Sequence, residues 1–112
     1  MNFDEYQNLT SGTAVYPEVG TGSQMALAYV ALGLSEAGEI QGKVKKIIRD
    51  DAGIVNEEKR LAIKAEIGDV LWYLARICDE LGFSFDSAAE ENIAKLQDRK
   101  NRNVISGSGD NR

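Results

Sequence analysis

Two apolar stripes recurring at three- and four-residue steps leave this chain little choice but helix. Between Ser23 and about Arg49, the residues Leu27, Val30, Leu34, Ala37, Ile40, Val44 and Ile47 mark one face of a single long helix. Lys43, Lys45, Lys46 and Arg49 crowd its last turns, where cations favour the negative end of the helix dipole. Asn56, with Glu57 and Glu58 behind it, is placed to cap another helix carrying Leu61, Ile67, Val70, Leu71, Leu74, Ile77, Cys78 and Leu81, which Gly82 closes. Asn2 and Glu5 have the spacing of a capping box for a short first helix over residues 3 to 12. Ser84 or Asp86 can start a last helix running to about Lys100, with Ala89, Ile93 and Leu96 facing inward. Pro17, Gly20 and Gly22 make residues 12 to 23 a loop. Strand patterning is missing, so the expectation is an all-α antiparallel helical bundle of three substantial helices and a short one.

At 112 residues the chain fits one domain near the lower limit of size for a self-sufficient core, so a partner surface is expected. Residues 101–112 form a polar tail that composition alone reads as frayed. The formal charge of −5, with acids spread along the chain, argues against a nucleic-acid backbone as partner. A small phosphate ligand chelated to a metal stays open, because the ion supplies the positive charge. The acidic start lacks the apolar run of a signal peptide, and Met25 to Leu34 is too short to span a bilayer. One cysteine, Cys78, on an apolar stripe reads as core filler and fits a reducing cytoplasm.

Within the second helix lies Glu36-Ala37-Gly38-Glu39, and within the third Glu66-Ile67-Gly68-Asp69. Each segment places two carboxylates at i and i+3 on one side of its helix, at the border of the apolar stripe. Gly38 and Gly68 each cost about 1 kcal/mol relative to alanine in mid-helix, which points to a close approach of a second helix or a ligand to the backbone there. If the helices pack side by side, four carboxylates converge, and a divalent cation relieves their repulsion. The donors are all oxygens and the chain has no histidine, which selects Mg²⁺ or Mn²⁺ over zinc, copper or a ferritin-like di-iron centre. A solvated acidic face laced with lysines is the competing reading of the same spacing.

These motifs resemble those of the MazG-like nucleotide pyrophosphohydrolases, short single-domain type. The family's Glu-x-x-Glu and Glu-x-x-Asp pairs are matched by Glu36, Glu39, Glu66 and Asp69, with 26 residues between the pairs. Glu5-Tyr6-Gln7, Thr13-Ala14-Val15-Tyr16-Pro17, Gly42-Lys43-Val44-Lys45-Lys46 and Asp69-Val70-Leu71-Trp72-Tyr73-Leu74-Ala75 are similar to family segments, as is the ending Gly107 to Arg112. Asn92, Lys95 and Arg99 match an Asn-x-x-Lys-x-x-x-Arg pattern on the last helix. Ser35 departs from the longer consensus, which has another acid there; this leaves open which carboxylate is the base.

The resemblance implies hydrolysis of a nucleoside triphosphate to the monophosphate and pyrophosphate by water attack at the α-phosphorus. It implies Mg²⁺ or Mn²⁺ on Glu36, Glu39, Glu66 and Asp69, with Glu36 or Glu39 accepting the proton. It places Asn92, Lys95 and Arg99, and less directly Lys43, on the β- and γ-phosphates, and puts Gln7 and Tyr16 near the base. Trp72 reads as an inter-helix or interface anchor. A cytoplasmic homodimer or homotetramer would complete the core. The rivals are a dUTPase- or dCTPase-type enzyme specialised for one nucleotide, and a helical interaction module without chemistry.

Overall fold

The computed structural model describes residues 1–112 and is all helix and turn. Five α-helices follow one another: α1 (Phe3–Thr10), α2 (Gln24–Leu32), α3 (Glu36–Asp50), α4 (Glu57–Leu81) and α5 (Phe85–Asn101). They form the bundle the periodicity calls for. Local chemistry sets the helix starts. The Asn2 side-chain Oδ1 accepts from Glu5 N–H at 2.8 Å while the Glu5 carboxylate accepts from Asn2 N–H at 3.1 Å, closing the capping box. Asn56 and Ser84 cap α4 and α5 in the same manner, through Lys59 N–H at 2.8 Å and Ser87 N–H at 2.9 Å. Gly82 ends α4 in the left-handed conformation, φ 79°. Asp86 does not cap; its carboxylate accepts from Phe3 N–H and pins α1 to the start of α5.

The expected single helix from Ser23 to Arg49 is in fact two. It breaks at a 3₁₀ turn, Gly33–Ser35, which separates α2 from α3 immediately before Glu36. At this turn the ring of Tyr73 on α4 packs directly on Gly33, and any Cβ there would run into the ring. Gly38 and Gly68 do not have such neighbours; a Cβ at either meets nothing within 4 Å in this chain, contrary to the close approach their positions suggested. Gly33→Ala is therefore expected to displace the Tyr73 ring and lower stability by about 1–3 kcal/mol. Urea denaturation of the variant measures it, with Gly38→Ala, which has room, as the neutral-to-stabilising comparison.

Helix α4 is the spine. It runs antiparallel to α1, α2 and α3, as Gln7 with Asp79, Tyr73 with Gly33, and Lys43 with Glu66 show. Two small apolar clusters form around it: Tyr16, Ala26 and Val30 with Trp72, Tyr73 and Ile77, and Ala75, Cys78 and Phe85 with Tyr6, Leu71 and Leu74. Between them lies a buried polar network. Arg76, 1 % exposed, donates to the Tyr16 hydroxyl at 3.2 Å, to Thr10 Oγ1 at 3.4 Å and to the Asp79 carboxylate at 2.9 Å. The Glu80 carboxylate accepts from the Tyr16 hydroxyl and the backbone N–H groups of Gly20 and Gly22, which straps the loop before α2 onto α4.

Only 12 of the 112 residues are buried, and the radius of gyration is 17.0 Å against about 13 Å for a compact chain of this length. Ile93 and Leu96 on α5, which the periodicity turned inward, are exposed, as are Met25, Tyr29 and Leu32 on α2. The tail folds back on itself. Arg99 donates to the Asp110 carbonyl at 3.0 Å, and Arg112 to those of Val104 and Ile105, both at 3.1 Å. No helix is long and apolar enough to cross a membrane.

Candidate metal centre

The 3₁₀ turn at Gly33–Ser35 delivers Glu36 to the first turn of α3, beside the middle of α4. There the carboxylates of Glu36, Glu66 and Asp69 each offer an oxygen, and these oxygens lie within 4.8 Å of one another. Three formal negative charges at that separation repel strongly, and Glu36 registers it. Its partial burial, then the charges of Glu66, Asp69 and Glu39, push its carboxyl above the ordinary glutamate value. One cation at the centre of the three oxygens removes that repulsion, and an all-oxygen donor set suits a hard divalent ion.

Glu39, on the following turn of α3, is exposed and stands outside the triad, although its charge is felt at Glu36. Lys43 does not pair with Glu39 by the i+4 rule; its ammonium reaches across to Glu66 at 3.5 Å. A cleft of about 400 Å³ opens above the triad, lined by Thr13, Glu36, Asp69, Trp72 and Tyr73. Trp72 donates its indole N–H to Thr13 Oγ1 at 2.8 Å and meets the Tyr73 ring edge-on at 5.1 Å. This aromatic wall is half-buried by its packing on Tyr16, Ala26 and Val30, and Glu36 and Asp69 complete the lining.

The remaining sequence candidates do not line the cleft. Gln7 is buried, and its amide is fully engaged: it donates to Asp79 Oδ1 and the Phe83 carbonyl, both at 3.1 Å, and accepts from Phe85 N–H at 2.9 Å. Tyr16 is buried too, its hydroxyl held by Arg76 and Glu80 and its ring stacked on Tyr29 at 5.4 Å. Neither faces the cleft: Tyr16 supports its wall by meeting the Trp72 ring edge-on at 6.3 Å, while Gln7 ties α1 to the turn between α4 and α5. Asn92 and Lys95 are exposed on α5, while Arg99 is buried against the tail. The sequence reading missed Thr13 as a lining residue. Its only local signal was its place in the Thr13 to Pro17 segment, since the tryptophan it meets is 59 residues away.

Comparison with known proteins agrees with the geometry. Residues 24–104 match the MazG nucleotide pyrophosphohydrolase domain. The chain belongs to the MazG family, and the triad together with that membership makes it a metal-dependent hydrolase of the MazG superfamily. It is similar to the Gene 37 protein of Mycobacterium phage L5, 47 % identical over 114 residues that span the whole of both chains. No solved structure matches.

Proposed function

We propose that this chain is a nucleoside triphosphate pyrophosphohydrolase that produces a nucleoside monophosphate and pyrophosphate. The observation that carries the reading is the meeting of Glu36, Glu66 and Asp69 from two antiparallel helices at the foot of an aromatic-walled cleft. Phosphoryl transfer asks chiefly for positioning and charge neutralisation, which a carboxylate cluster and a flat aromatic wall provide with few special groups. When bound, Mg²⁺ or Mn²⁺ would neutralise the phosphate oxygens and orient the attacking water.

The chain's own residues do the rest. Glu36, Glu66 and Asp69 would hold the ion, and Glu39, exposed one turn on, would join them as a fourth ligand. Glu36 or Glu39 accepts the proton of the water whose oxygen bonds to the α-phosphorus. The bond from that phosphorus to the bridging oxygen breaks, and pyrophosphate departs with the bridge. Trp72 and Tyr73 offer apolar faces to the nucleoside, and Lys43 lies beside the ion's ligand Glu66.

Asn92 and Lys95 fit this reading through a second copy of the chain. Their helix α5 carries exposed Ile93 and Leu96, and the scarcity of buried residues calls for a partner. In a homodimer or homotetramer α5 would bring Asn92 and Lys95 to a neighbouring cleft, while Arg99 keeps the end of that helix tied to its tail. The test is incubation of single triphosphates with Mg²⁺ in ¹⁸O-labelled water. Labelled monophosphate and unlabelled pyrophosphate are expected; release of orthophosphate, or no turnover with any triphosphate, would overturn the proposal. A rate confined to one base would narrow it to an enzyme specialised for that nucleotide.

A further inference from the structure

The seam between α3 and α4 does not end at the triad. One step further along it a second cleft, about 250 Å³, is lined by Lys43, Lys46, Glu58, Lys59 and Ala62. Taking about 30 Å³ per water in the liquid, it has room for about eight waters, enough for an anion of several atoms. Three lysines and one carboxylate, Glu58, line it, while Glu66 and Asp51 stand beside it as the loose partners of Lys43 and Lys59.

None of the three lysines is tightly neutralised. Lys43 lies 3.5 Å from Glu66 and Lys59 lies 3.8 Å from Asp51, both longer than the about 2.7–2.9 Å of a strong charge-assisted hydrogen bond. Lys46 forms no ion pair; Asp50, one turn on, is the acid that feels its charge. The helix dipole accounts for Lys46 near the end of α3, but it works against Lys59, which sits in the first turn of α4 where a cation is disfavoured. Lys43 and Lys46 share one face of α3 at i and i+3, and Ala62, one turn before Glu66, keeps the floor between them and Lys59 low.

We propose that Lys43, Lys46 and Lys59 form a cradle for the terminal phosphates of a polyphosphate chain whose first phosphate lies at the triad. Lys43 touches Glu66, so the cradle begins where the carboxylates end. Along α3, Lys43 and Lys46 stand about 10 and 15 Å from Glu36, a span that long lysine side chains shorten to the reach of two further phosphates. The naming of a nucleotide's tail as the occupant rests on the hydrolase reading above; the anion cradle stands on its own geometry. It selects chains of three phosphates over shorter ones, and it retains the pyrophosphate that the reaction releases.

Calorimetric titration with inorganic tripolyphosphate, with and without Mg²⁺, tests this on the wild type, Lys46→Ala/Lys59→Ala and Lys46→Arg/Lys59→Arg. Without Mg²⁺ the alanine double variant is expected to bind at least about tenfold more weakly, with the arginine variant restored to within about threefold. Equal affinity of the wild type and the alanine variant, or no binding by either, overturns the cradle. The hydrolase reading fails separately, by the absence of any triphosphate turnover in the wild type. A cradle that still loses tripolyphosphate on lysine removal would then survive as an anion site alone.

Discussion

Asp69→Asn or Glu66→Gln is expected to lower triphosphate turnover by about a thousandfold or more while leaving the helical circular dichroism unchanged. The size follows from what each carboxylate does. It supplies one of three oxygens held within 4.8 Å, and a neutral amide is a poorer ligand for a hard ion and neutralises no charge. The same substitutions have an opposite effect on the metal-free protein. Removing one of the crowded charges that push the Glu36 carboxyl upward relieves repulsion, so Asp69→Asn should melt at the same or a higher Tm than the wild type in chelator, with a smaller gain for Glu66→Gln, which also gives up its ion pair with Lys43. Loss of turnover with a matching loss of stability would instead mark these acids as parts of the scaffold. Full turnover in either variant would remove it from the site.

Arg76→Met should produce the largest loss of stability of any single change, about 3 kcal/mol or more in urea denaturation. The methionine fills the space of the arginine stem, but it takes a donor and a positive charge out of a buried network: the Tyr16 hydroxyl keeps only Glu80, Thr10 Oγ1 keeps only the Gln7 carbonyl, and the Asp79 carboxylate loses its ion pair. Asp79 is 39 % exposed and can turn to water, so the cost comes mainly from removing the cation that Tyr16 links to the buried Glu80 carboxylate. A domain of this size holds about 5–15 kcal/mol in all, and its own apolar core is small. A change under 1 kcal/mol would mean that the network is dispensable, and with it the role of α4 in positioning the loop that carries Thr13.

The features legible in the sequence are those that neighbours along the chain decide. The caps at Asn2, Asn56 and Ser84 and the stop at Gly82 depend on residues within one helical turn, and all four stand where the pattern puts them. The pairing of Glu36 with Glu66 and Asp69 was legible because both segments carry the same i, i+3 spacing on stripes that must pack. Features decided across the fold were not. The break at Gly33 falls where the Tyr73 ring packs, and the apolar rhythm runs on through Leu34 without a mark of it.

Lys43 shows the same limit, because its place near the end of a helix gives no sign that its ammonium lies 3.5 Å from Glu66 on the neighbouring helix. Gln7 and Tyr16 are polar residues near the start of the chain, and only their bonding shows that both are buried in the scaffold and do not face the cleft. Gly38 and Gly68 were read as points of close approach, yet within one chain they face open space. Ile93 and Leu96 followed a helical stripe correctly and still lie in water, because periodicity reports which residues share a face and not whether a neighbour covers it.

The most direct test is a titration of Mn²⁺ into the wild type and into Glu66→Gln, following the free-ion electron paramagnetic resonance signal. Saturable quenching by the wild type, lost in the variant and displaced by excess Mg²⁺, is the outcome required if facing helices gather these acids into a seat for a hard cation. An undiminished signal in the wild type, or equal quenching by both proteins, would contradict it.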